Sequence, residues 1–411
     1  MAYRKFKADF LFTGREMLDG NAVLVTDENG IVQTILSLQE AGDDIEILNG
    51  IISPGFVNCH CHLELSHLKG IIPEKTGLVD FLLSVIKQRN FSADIIQQSI
   101  ADAEKRMIEN GIVAVSDICN TTDTLSQKSQ GNLYYHNFIE TIGFPETVAE
   151  QRFQSSVEIF NQFAQQYSLP IESNSIVPHA PYSVSKKLFG LIANFPGNHV
   201  LTIHNQESEE ENRFIKSGDG DLTRLYKSLG LDISFYKPTG KRSLENYLPN
   251  FYRNQSLILV HNVATNEEDL KAVGNWQLAI GSSESGLPTG NYKLETTNLF
   301  FCLCPNANLY ISQKLPDIDL LIKQNCKMVV GTDSLASNHQ LNILEELKTI
   351  QQNFPHIETK TLLRWATLNG AYALQLNDVV GSFEKGKQAG VLLIENADNK
   401  SLISSRAKRI I

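Results

Sequence analysis

Short apolar runs rich in Val and Ile recur along the chain, and most are followed by longer stretches with hydrophobic positions at helical spacing. The runs Ile51–His62, Gly111–Ile118, Leu133–Ile142, Ser175–Pro178, His199–His204, Leu257–His261, Leu299–Cys304 and Lys327–Gly331 predict eight strands. Helical patterns cover Leu78–Arg89, Ala93–Asn110, Glu150–Gln166, Lys186–Ala193, Glu267–Val273, Ile318–Gln324 and Leu341–Gln352. Strands that alternate with helices pair in parallel, and eight of them match a (β/α)8 TIM barrel.

The two ends break this rhythm. Residues 1–52 read as short strands with turns such as Asp27-Glu-Asn-Gly30, and Val379 to Glu395 again reads as strand–turn–strand. The expectation is an α/β protein with a barrel over 53–372 and a small β domain built from 1–52 and 373–411. Two connections are long: 207–252, polar and helix-like, and 281–297, rich in Gly, Ser and Thr. Connections of that length are candidates for lids.

Composition narrows the class. A chain of 411 residues with 42% hydrophobic and 20% charged residues is ordinary for a globular protein. Net charge is −10 and no Lys/Arg-rich run occurs beyond a short terminal cluster, which excludes a phosphate-binding surface for nucleic acid or an anionic membrane. No apolar run reaches the roughly 20 residues of a membrane span, and the amino terminus does not read as a signal peptide. The six cysteines include no CxxC pair. Reduced thiols and a cytoplasmic location follow as expectations.

The stretch NCHCHLELSH from Asn58 packs two cysteines and three histidines together. Side chains alternate faces along a strand, so His60 and His62 point one way and Cys59 and Cys61 the other. A thiolate site would need two further cysteines at tight spacing, and there are none. The imidazoles have company: His179, His204, His261 and Asp333 each end a predicted strand, where a parallel barrel gathers its side chains at one mouth. A lone histidine in an apolar strand is more often a core residue, but five, with an aspartate, in a chain of ten histidines are hard to place that way. His67, just beyond the first strand, is the other candidate near the mouth.

Taken in order, SPGFVNCHCHLELS, VPHAPYSVS, HNQESEEE, LVHN, CPNANL, GTDSLASN, WATLNGAYAL and GSFEKGKQAG resemble the motifs of the amidohydrolase superfamily. The branch they are similar to comprises cytosine, guanine and adenosylhomocysteine deaminases and triazine chlorohydrolases. The resemblance spans nearly the whole chain. One departure is Gly390, where the family usually has aspartate.

The resemblance implies a distorted (β/α)8 barrel with a β-sandwich formed by both termini. It also implies one divalent metal, zinc or alternatively Fe(II), held by His60, His62, His204 and Asp333. No lysine matches a binuclear, carbamate-bridged centre. The implied reaction is attack of an activated water on an amino-substituted ring carbon, releasing ammonia. In it Asp333 takes the water's proton, His261 orients the attacking oxygen, and Glu207 protonates a ring nitrogen. His179, Ser334 and His67 are candidate substrate contacts, and Glu207 touches substrate as well. HLELS and KPTGKRSLENYL are most similar to deaminases of adenine-containing nucleosides, including aminodeoxyfutalosine deaminases. Hydrolysis of a cyclic amide or a halogenated ring on the same metal is the rival, and a non-catalytic barrel scaffold the more distant one. Partners reduce to a small-molecule substrate and a possible second copy in a homodimer.

Overall fold

The computed structural model describes residues 3–166, 173–252, 254–278 and 298–411. Eight parallel strands form two four-stranded sheets. The first runs Asn174–Pro178, Tyr134–Thr141, Ile112–Cys119, Phe56–Cys61 in spatial order, and the second Val200–Asn205, Ser256–His261, Leu299–Leu303, Lys327–Val330. Nearly every residue in them is buried, as expected where helices cover parallel strands. Two seams join the sheets edge to edge. At one, the amides of Thr332 and Asp333 both donate to the His60 carbonyl at 3.0 Å; at the other, the His204 amide donates to the His179 carbonyl at 3.0 Å. Each seam therefore ties the backbone of candidate site residues directly together.

The amphipathic stretches form helices close to their expected bounds, among them Leu78–Gln88, Ala93–Glu109, Ala149–Gln166 and Ile343–Asn353. The polar stretch 207–252 folds into short helices, Glu209–Ser217, Leu222–Ser228 and Ser243–Tyr247. The expected lid at 281–297 lies outside the described residues.

The single strand expected over Ile51–His62 is in fact two. Ile51–Ser53 pairs with Leu392–Ile394 and with Phe10–Leu11, whereas Phe56–Cys61 joins the first parallel sheet. Pro54, which has no N–H to give a ladder, marks the break. The consequence is a five-stranded sheet that mixes both ends of the chain, from Arg406–Arg409 to Met17–Asp19. It packs on a four-stranded sheet of residues between Tyr3 and Ile47 through Phe6, Leu24, Leu11 and Ile52. Gly390 belongs to this region. Its φ is +69° and an added Cβ would meet Val113 Cγ1 at 2.8 Å, so the family's aspartate would be strained in this backbone.

Candidate active site

The side chains at the ends of the parallel strands meet around one point. His60 lies inside the first strand and His62 just after it, so alternation carries both rings to the same side. His62 Nε2 is 3.2 Å from His60 Nε2 and 3.3 Å from His204 Nε2, while Asp333 Oδ1 is 3.6 Å and 3.5 Å from the nitrogens of His60 and His62. Backbone strain accompanies the convergence. Asp333, His261 and Asn262 have φ of 58°, 76° and 62°, values that non-glycine residues hold only when their surroundings compel them. Here the Asp333 amide is held by the His60 carbonyl, and the Asn262 side-chain amide by the carbonyls of Leu259 and Cys302.

Hydrogen bonds behind the rings decide which nitrogen faces inward. His204 donates Nδ1–H to the His179 carbonyl at 2.9 Å, which leaves the Nε2 lone pair toward His62. Ser337 donates its hydroxyl to Asp333 Oδ2 at 2.7 Å, leaving Oδ1 toward the histidines. Burial, and then the charge of His60, lower His62 to about 3. Burial and the neighbouring imidazoles push His204 well below its usual range. Burial favours the neutral Asp333 carboxyl, but the His60 hydrogen bond and the surrounding imidazoles outweigh it, and the group stays far below the ordinary carboxylate range.

The neutral His62 and His204 rings, with their lone pairs converging, repel one another unless a cation lies between them. Tetrahedral ligands about 2.0–2.1 Å from zinc are separated by roughly 3.4 Å, close to the spacing of the three nitrogens. The residues therefore fit a divalent metal. The thiols do not compete: all six cysteines are free and buried, and burial keeps Cys59 and Cys61 protonated, whereas a metal takes thiolate.

His62, His204 and Asp333 of this cluster line a cavity of about 310 Å³. Glu207 and His261 face it together, with Glu207 Oε1 3.7 Å from His261 Nε2. Burial, aided by the charges of Asp333 and Glu211, drives the Glu207 carboxyl well above its usual pKa, the direction that favours a proton donor. His179 lines the cavity with Nδ1 2.7 Å from Ser183 Oγ, and burial lowers it to about 4. Ser334 lines it too, its oxygen accepting the Ala336 amide. The outer walls are apolar and come from helix Leu78–Gln88, the strand end at Ile142, and residues 225–231, where Leu225, Leu229 and Leu231 face inward.

His67 is elsewhere. It donates Nε2–H to the Arg89 carbonyl at 3.0 Å, stands edge-on to Phe91 and does not line the cavity. The helix Leu63–Leu68 turns it toward the end of Leu78–Gln88. In its place the cavity contains Glu64, Asn120 and Glu140, which sequence reasoning did not single out. Glu140 closes an apolar strand just as His179 and His204 do, and that position was the available signal.

An amidohydrolase family model matches residues 51–408. The chain belongs to the amidohydrolase family. It is similar to an adenosine deaminase of Helicobacter pylori, 25% identical over 346 residues that cover 83% of this chain and 78% of that one. An aminodeoxyfutalosine deaminase of a Nitratiruptor species is 23% identical over 356 residues, 84% of this chain and 79% of that one. Among solved structures, the Helicobacter pylori aminofutalosine deaminase in complex with methylthio-coformycin aligns with a TM-score of 0.81 at 21% identity, covering 99% of this chain and 100% of that one. An atrazine chlorohydrolase of Arthrobacter aurescens complexed with zinc aligns at 0.72 and 16%, over 98% and 92%. The fold is thus of TIM-barrel type, mixed α/β with parallel sheets.

Proposed function

We propose that the protein is a metal-dependent hydrolytic deaminase of adenine nucleosides, with aminodeoxyfutalosine or a related 5′-modified adenosine as substrate. The observation that carries this reading is the meeting of two things in one cavity: an imidazole cluster with the spacing of a metal site, and a buried carboxyl group, Glu207, facing the same space 3.7 Å from His261. Relatives named for deamination of adenosine, aminodeoxyfutalosine and 5′-deoxyadenosine support the substrate class.

In this reading the two parallel sheets close into one (β/α)8 barrel spanning 53–372, and residues 1–52 and 373–411 form a β-sandwich beside it. His60, His62, His204 and Asp333 hold one divalent ion, zinc by donor type, with Fe(II) the alternative. Bound there, the ion supplies the Lewis acidity that brings the pKa of water near neutrality. The chain does the rest. Asp333, ionised and steadied by Ser337, accepts the proton of the attacking water. His261 keeps Nε2 free toward the cavity and orients that water against the amino-bearing carbon. Glu207 delivers its proton to a ring nitrogen, so that the carbon becomes electrophilic; it then passes the proton that Asp333 took from water to the departing amine, which leaves as ammonia, and regains its own from the hydroxyl of the adduct. His179 and Ser334 contact the substrate. The free thiols fit a cytoplasmic enzyme.

The test is a panel of adenine nucleosides, triazines and cyclic amides offered to zinc-loaded protein, following ammonia, chloride and the purine absorbance shift. Ammonia released from the nucleosides is expected, and Glu207→Gln should abolish it while zinc content is retained. Turnover confined to the triazines or cyclic amides would overturn the proposal.

A further inference from the structure

One buried carboxyl group stands outside the cavity, behind residues that act in the reaction above. Glu346 lies in the first turn of helix Ile343–Asn353, is 0% exposed and does not line the cavity. Three N–H donors from two other segments converge on it. The Asn338 side-chain amide donates to Oε1 at 2.8 Å and the Asn306 side-chain amide to the same oxygen at 3.0 Å. The Asn306 backbone amide donates to Oε2 at 2.9 Å. Burial pushes the carboxyl up to about 8, and its oxygens offer lone pairs to these donors with or without a proton.

Each segment carries a site residue. Asn338 gives its second amide hydrogen to the Thr332 carbonyl at 2.8 Å, and so fixes the peptide that enters Asp333, where φ is 58°. Strained backbone of this kind persists only where several bonds pin it. Asn306 lies in the first turn of helix Pro305–Ser312, where backbone N–H groups have no partner within the helix, and Glu346 supplies one. Two residues further along, Asn308 accepts the His261 Nδ1–H at 2.9 Å. One carboxyl thus backs both Asp333, which takes the water's proton in the proposed reaction, and His261, which orients that water.

The arrangement calls for two acceptor oxygens and no donor. Asn338 cannot turn its amide, because its nitrogen also meets a carbonyl. Asn306 is held likewise by Thr349, whose hydroxyl donates to its side-chain oxygen at 2.6 Å. A glutamine of the same shape would set an N–H against one of the three donors.

We infer that Glu346 is a positioning residue: it locks the loop that carries Asp333 to the helix that orients His261, so that the two side chains keep a fixed separation. Its consequence for turnover rests on the proposed reaction, and its consequence for zinc binding on the metal site alone.

The experiment compares the natural protein with Glu346→Gln, Asn338→Ala and the double variant. It measures zinc affinity against a chromophoric chelator, the visible spectrum of the cobalt(II)-loaded form, kcat and KM for adenosine, and the urea midpoint. Partners that hold site residues from behind set the scale: Glu346→Gln should lower kcat and zinc affinity each about ten- to hundredfold. The cobalt spectrum should change with them, and KM should stay within a few-fold. Asn338→Ala should reproduce the loss of zinc affinity and the spectral change with a smaller loss of kcat, since Asn306 remains held. The double variant should bind zinc no more weakly than the weaker single one, because both act through one link. A Glu346→Gln protein in which only the urea midpoint falls would overturn the inference, and so would losses of zinc affinity that multiply in the double variant. Should Glu346→Gln fail to fold, Asn338→Ala decides by the same readouts; if neither folds, the network serves the fold and the inference falls. A natural protein that binds zinc but deaminates no nucleoside would overturn the proposed function, while zinc affinity and the cobalt spectrum still decide the link to Asp333.

Discussion

The ring of His261 gives its Nδ1–H to Asn308 Oδ1 across 2.9 Å, and this bond determines which nitrogen is offered to the cavity. Asn308 is itself buried in helix Pro305–Ser312 and its side-chain nitrogen has no partner, so its one hydrogen bond is spent on the histidine. Burial meanwhile lowers His261 to about 4, leaving a neutral ring with Nε2 as the acceptor. Without Asn308 the two tautomers compete and the ring can rotate. Asn308→Ala is therefore expected to reduce kcat about 10- to 100-fold, the usual range for residues that fix a site histidine, at unchanged zinc stoichiometry. Steady-state kinetics alongside metal analysis checks this; a variant with undiminished kcat would mean that the ring is held by packing alone.

Behind the first strand a lysine is fully buried. Lys128 Nζ lies 2.5 Å from Asp117 Oδ2, 2.8 Å from Asn137 Oδ1 and 3.2 Å from Cys119 Sγ. The second oxygen of Asp117 accepts the amide of Leu63, the residue after His62, at 2.7 Å. The pair thus anchors the turn that aims a site histidine. Lys128→Met strands the carboxylate in the core and should cost about 3–5 kcal/mol. Adding Asp117→Asn should recover part of that loss, because no buried charge then remains. Urea unfolding of the three proteins decides, and a single variant as stable as the natural protein would refute the role of the pair.

Much of this site was readable from the chain because each site histidine ends an apolar run, and parallel strands deliver such ends to one place. Fold class followed from the same alternation, since it depends only on local periodicity. The unread parts depend on distance in space. Glu64 and Glu140 carry no spacing signal of their own; they meet because Asn120, from a third segment, draws them together. His67 misled for the converse reason, being five residues from His62 yet turned away by the helix between them. Pro54 was visible, but the apolar residues on either side of it, Ile51, Ile52, Phe56 and Val57, concealed that they serve two different sheets.

Acid should weaken the fold through His136. This ring is buried in the third parallel strand with Nε2 3.1 Å from Ser175 Oγ, and burial alone lowers its pKa from 6.5 to about 3. The folded state thus binds the proton less readily than the unfolded one. The stability gained from a neutral ring is fully present above pH 6.5 and is lost as the pH falls toward about 3. His136→Gln removes the titrating group. Urea midpoints recorded from about pH 7.5 to about 4.5 should therefore decline more steeply for the natural protein than for the variant. Parallel declines would show that other groups govern acid unfolding.

Gly331 offers a way to disturb the metal site without touching a ligand. It precedes Asp333 by two residues and packs against the first strand so closely that an added Cβ would meet His60 Cβ at 2.7 Å and the His60 nitrogen at 2.8 Å. Backbone on one side and a site histidine on the other leave no flexible tip to yield. Gly331→Ala must therefore part the seam where the His60 carbonyl accepts the amides of Thr332 and Asp333. That motion separates His60 from Asp333, the earliest and latest of the proposed ligands. Zinc affinity, titrated against a competing chromophoric chelator, should fall at least tenfold, a loss of about 1.4 kcal/mol of binding. Far-ultraviolet dichroism should remain that of a folded α/β protein, since the strain is confined to one seam. Unchanged affinity would mean that the seam has slack and that the spacing of the imidazoles does not depend on it.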